Sequence, residues 1–74
     1  MSYRFNTIIE KDAHGFYAFC PELEGCHTQG DTLEEVIKNM REAIALYIET
    51  LTPDELRQFS DRQLFTTTLE VNVA

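Results

Sequence analysis

Leu33-Glu34-Glu35-Val36-Ile37-Lys38-Asn39-Met40-Arg41-Glu42-Ala43-Ile44-Ala45-Leu46-Tyr47-Ile48-Glu49-Thr50-Leu51 is the stretch on which the fold turns. Leu33, Val36, Ile37, Met40, Ala43, Ile44, Tyr47, Ile48 and Leu51 recur at spacings of three and four, so a helix lays them in one apolar stripe. Glu34, Glu35, Lys38, Arg41, Glu42 and Glu49 fall elsewhere on the helix surface. The start is marked twice. Asp31 with Glu34, or Thr32 with Glu35, has the spacing of a capping box, and the acids suit the positive end of the helix dipole. The pattern predicts a helix running to about Leu51.

Upstream the period changes from 3.6 to two. Residues 3–10 are rich in β-branched and aromatic types, with Tyr3, Phe5, Thr7 and Ile9 on one side, which predicts a strand. Lys11-Asp12-Ala13-His14-Gly15 supplies a turn, with Gly15 free to take a positive φ. Phe16-Tyr17-Ala18-Phe19-Cys20 reads as a second strand with both faces apolar or aromatic, so both faces of the sheet need cover. Pro21-Glu22-Leu23-Glu24-Gly25 breaks the ladder, and Cys26-His27-Thr28-Gln29 is a short third strand closed by Gly30.

Downstream, Thr52-Pro53-Asp54-Glu55 marks a second helix of one or two turns through Phe59: a Thr cap, Pro at the first position and Glu at the third. Ser60–Gln63 is a loop. Residues 64–73 alternate, with Phe65, Thr67, Leu69, Val71 and Val73 on the inward side, and read as a last strand. The expected class is α+β: an antiparallel-rich sheet in the order β-β-β-α-β, the short helix lying before the last strand, with one long helix on one face. The other face has no second long helix. A patch of that size commonly marks association, so a homodimer through a sheet face bearing Tyr3, Phe5, Tyr17 and Phe19 is expected.

At 74 residues the chain is one small domain from 1 to 74. Its 13 acidic and 6 basic side chains give a net charge of −7, which argues against independent binding to nucleic acid or an anionic membrane. With 43% hydrophobic and 26% charged residues the composition is ordinary for a globular domain, not a disordered one. No signal peptide or apolar span is legible, and two cysteines are too few for a secreted disulfide framework, so a reduced, cytoplasmic protein is expected.

Reactive constellations are sparse. Cys20, Cys26 and His27 fit no standard zinc spacing, and buried cysteines are the simpler account. His14 lies in a turn and His27 neighbours no nucleophile, so neither is read as a catalytic base. Glu10 and Asp12, with Glu70, are carboxylates of the kind that hold a divalent cation in a nuclease, against the commoner reading of solvated strand ends. No phosphate loop, dinucleotide fingerprint or hydrolytic triad is present. No cofactor and no bound metal are expected.

The charge is unevenly placed. Glu22, Glu24, Asp31, Glu34 and Glu35 lie between residues 22 and 35 with no base among them, which is five of the seven excess charges. Dipole complementarity accounts for Asp31, Glu34 and Glu35 but not for Glu22 and Glu24. A surface that steers a basic partner accounts for all five.

The run Cys20-Pro21-Glu22-Leu23-Glu24-Gly25-Cys26-His27-Thr28-Gln29-Gly30-Asp31-Thr32-Leu33-Glu34-Glu35, continued by Asn39-Met40-Arg41-Glu42-Ala43-Ile44, resembles the signature of the HicB family of antitoxins. The aromatic strand Gly15-Phe16-Tyr17-Ala18-Phe19 fits as well, and the likeness covers about residues 5–50. The resemblance implies a truncated ribonuclease-H-like fold, dimeric or higher, with no catalysis of its own. It implies a partner: HicA, a small basic ribonuclease toxin acting on mRNA. Many family members add a C-terminal DNA-binding domain, for which the sequence after Val73 leaves no room, so direct operator binding is not expected. On this reading Glu22, Glu24, Glu34 and Glu35 contribute to toxin contact. The rival readings are a HicB-like domain for another protein or ligand, and a residual metal-dependent nuclease using Glu10 and Asp12.

Overall fold

The computed structural model describes residues 2–74. Three strands, β1 (Ile8–Asp12), β2 (Gly15–Phe19) and β3 (His27–Gly30), form an antiparallel sheet in the order β1-β2-β3. Two helices follow, α1 (Leu33–Ile48) and α2 (Pro53–Ser60), so the class is α+β. The register pairs Ile9 with Ala18 and Ala18 with Thr28 on one face, and Ile8 with Phe19 and Phe19 with His27 on the other. Helix α1 covers the first face. Ala18, Cys20, Leu23, Cys26, Val36 and Met40 are the buried core, with Phe5, Ile9, Phe16, Ala43, Ile44, Tyr47, Ile48, Leu51 and Phe59 packed around it. Among the described residues no helix is long and apolar enough to cross a membrane.

The helix starts follow the sequence signals. Thr32 caps α1, its hydroxyl accepting from the Glu35 amide at 3.1 Å. Thr52 and Glu55 close a full capping box on α2, with bonds of 3.2 and 3.0 Å and Pro53 at the first position. Helix α1 ends at Ile48, three residues short of the expected Leu51, because the Thr50 and Leu51 amides turn back onto the Tyr47 and Ile48 carbonyls. The chain between β3 and α1 is tight. A Cβ on Gly30 would lie 2.9 Å from the Val36 nitrogen, so only glycine lets the helix approach β3 this closely. The Asn39 side-chain amide then donates to the Gln29 carbonyl at 3.1 Å and ties α1 to the same strand.

Two expectations change. The first strand was expected over residues 3–10, but pairing begins only at Ile8. Opposite Thr7 the second strand runs out: Pro21 has no amide, and the Cys20 amide turns into the loop to meet the Cys26 carbonyl at 3.0 Å. The expected last strand, 64–73, joins no ladder. Its apolar side lies open, with Phe65, Leu69, Val71 and Val73 between 78% and 91% exposed. The sheet therefore has three strands.

Candidate interaction surface

The hairpin brings Tyr17 and Phe19 to the sheet face that α1 leaves open, and β3 adds His27 beside them. The ring centroids are 5.9 Å apart for Tyr17–Phe19 and 5.8 Å for Tyr17–His27. These rings and the Pro21–Cys26 loop, Glu24 included, border a shallow depression of about 420 Å³. The four residues expected to share one association face are divided. Tyr17 and Phe19 are on the open face; Tyr3 and Phe5 line a separate groove against Ile37, Met40 and Ile44 of α1.

The acids divide too. Glu24, Glu34 and Glu35 are exposed around the loop and the first turn of α1. Glu22 is buried, 7% exposed. One carboxylate oxygen accepts from both the backbone and the side-chain amide of Asn6, each at 2.9 Å, and the other faces the Cys20 thiol at 3.8 Å. Glu22 thus supplies an acceptor to the Asn6 amide, which lies outside the β1–β2 ladder. Nothing in the spacing of the loop announces this role.

The nuclease-like set is not assembled. Asp12 accepts from the His14 amide at 2.8 Å inside the hairpin turn, and Glu10 pairs across the ladder with Tyr17. Glu70 lies in the C-terminal segment. Among the described residues no three His, Cys, Asp or Glu side chains come together to hold a metal. Cys20 and Cys26 are free and buried. Burial, the largest cause, pushes the Cys20 thiol up to about 11, and burial also raises that of Cys26. Between the ordinary thiol value and about 11 the unfolded chain binds fewer protons than the folded one, so stability falls as pH rises through that window. Iodoacetamide at pH 8 is expected to alkylate the native protein at least about tenfold more slowly than the urea-unfolded chain, as fits a buried thiol. Mass-resolved labelling checks this.

The chain is thus an acidic α+β domain with an aromatic open face. The description "HicB_like antitoxin of bacterial toxin-antitoxin system" matches residues 5–69, and the chain belongs to this family. A UPF0150 protein of Helicobacter pylori is 42% identical over 93% of this chain and 96% of its own length. A UPF0150 protein of Synechocystis is 56% identical over 66% of this chain and 63% of its own. A third, from Archaeoglobus fulgidus, is 47% identical over 62% of this chain and 68% of its own.

Proposed function

We propose that this protein is a non-catalytic antitoxin that binds and neutralises a small basic ribonuclease toxin of the HicA kind in the cytoplasm. The observation that carries the reading is the stretch from 22 to 35, which holds five acids and no Lys or Arg, in a chain of the HicB-like antitoxin family. A ribonuclease needs cationic side chains for RNA phosphate, and an acidic surface competes for them while raising the rate of encounter. Glu24, Glu34 and Glu35 form the contact, and Glu22 adds its charge from behind while it holds Asn6. The fold is a ribonuclease-H-like one cut short, a single domain over residues 1–74, and it works as a homo-oligomer.

Charge reversal of Glu24, Glu34 and Glu35 together tests the contact. Association with purified cognate toxin is expected to slow by about tenfold or more at low ionic strength, and the salt dependence of the rate to flatten. Stopped-flow or surface-based kinetics with an unchanged rate and salt slope would remove these residues from the interface. Glu22 is left out of that triple variant because its replacement also removes the acceptor for Asn6.

A further inference from the structure

The register decides what stands on the sheet face that α1 leaves open. Ile8, Phe19 and His27 lie opposite one another across the three strands, and Glu10, Tyr17 and Gln29 form the next rung. Partners in a rung project to the same side. A sheet face left to water normally carries polar side chains, but this one carries Ile8, Tyr17 and Phe19, and Tyr17 is 41% exposed. The rings of Phe19 and His27 are tilted by 33° and 37° against Tyr17, with centroids 5.9 and 5.8 Å away, so they do not close face to face on it.

The charges around these rings are of one sign. Glu10 shares the rung of Tyr17, Asp12 stands one rung further along β1 on the same side, and Glu24 borders the depression lined by Tyr17, Phe19 and His27. All three acids are exposed. None lies in the first turn of a helix, so the helix dipole does not account for them. Among the described residues of the three strands the one Lys or Arg is Lys11, and its ammonium lies over the Phe16 ring, on the side that faces α1.

An apolar partner segment would strip water from the carboxylates at the rim and give them nothing in return. A second copy of the chain would bring its own charge of −7 against them. A guanidinium suits both halves of the face. Its flat, weakly hydrated surface stacks on an aromatic ring while its N–H edge donates to carboxylates.

We propose that the open face receives an arginine side chain of a basic protein partner, stacked on Tyr17, with Glu10 and Glu24 accepting from its edge. The identity of that partner as the toxin rests on the antitoxin reading; the site adds the sheet to the contact at the start of α1.

Tyr17→Leu removes the ring and leaves every charge in place. With purified cognate toxin it is expected to raise Kd about five- to thirtyfold, the worth of one cation–π contact. The loss is expected in the dissociation rate, with the association rate and its salt dependence as in wild type. Tyr17→Phe keeps the ring and is expected to bind as wild type does. Glu10→Gln, an exposed change, is expected to slow association about twofold at low ionic strength. A Kd for Tyr17→Leu within about twofold of wild type overturns the proposal, as does an equal loss in Tyr17→Phe or an unchanged rate in Glu10→Gln. A Tyr17→Leu chain of lower mass than wild type by light scattering places another copy on the face and overturns it as well.

A wild type that does not bind the toxin defeats the antitoxin reading, and the arginine site is then tested alone. Nuclear magnetic resonance titration with acetylated triarginine amide is expected to shift the Tyr17, Phe19 and His27 ring protons, and the Tyr17→Leu variant to lose the Phe19 and His27 shifts. The same shifts with the uncharged citrulline peptide, or no ring response to arginine, overturn the site.

Discussion

Leu23→Ala is expected to cost about 3–4 kcal/mol, the middle of the range for a leucine removed from a packed core. Leu23 belongs to a loop, yet it is 1% exposed and one of the largest fully buried side chains. Three backbone bonds make the loop a closed knot: the Leu23 amide to the Cys20 carbonyl at 3.1 Å, the Cys26 amide to the Leu23 carbonyl and the Cys20 amide to the Cys26 carbonyl, both at 3.0 Å. Held at both ends in this way, the loop has little freedom to sink into the space the side chain leaves. A domain of this size has a total stability of only about 4–11 kcal/mol at typical values per residue. Each kcal/mol is worth about 4–8 °C in Tm, so a drop of roughly 12–32 °C is expected by calorimetry. A loss under about 1 kcal/mol, the range of a partly exposed site, would show that the loop does not close the core.

Glu22→Ala is expected to cost about 2–3 kcal/mol, near the value of hydrogen bonds to a charged group whose donors then lose their partner. Asn6 donates twice to that one carboxylate. Asn6 is only half-buried, so water recovers part of the loss. Glu22→Gln keeps one carbonyl oxygen and is expected to cost about half as much, since a neutral acceptor is the weaker one. Urea unfolding gives both values. Hydrogen exchange adds a local signature: the Asn6 amide is expected to lose protection in the alanine variant while Ala18 and Val36 remain slow. Equal loss of protection throughout would mean that Glu22 supports the whole core, not the entry of the chain into β1.

The elements that were legible in the sequence are those whose signal is local. The α1 stripe, the Thr32 and Thr52 caps and the Gly15 turn, where φ is +127°, each depend on residues within one turn of chain. The illegible parts depend on what lies across from them. Alternation marked residues 64–73 as a strand, but alternation cannot say whose edge a strand pairs with. Residues 3–7 carry the same pattern but join no ladder, because the chain opposite them bends at Pro21. At the candidate surface, composition found the acidic run and the aromatic residues. It could not separate Glu22 from Glu24, because two acids with one residue between them look alike until the loop decides which one faces inward.

Gly30 has a bearing on recognition as well as packing. It lets α1 lie against β3, and the Asn39 bond to the Gln29 carbonyl and the Thr32 cap fix the helix at the same end. Glu34 and Glu35 therefore stand on backbone already fixed in position before any partner arrives. The ordering entropy that a flexible acidic tail would lose on docking has been spent during folding, so the toxin contact proposed for this face would give up little beyond side-chain rotamers.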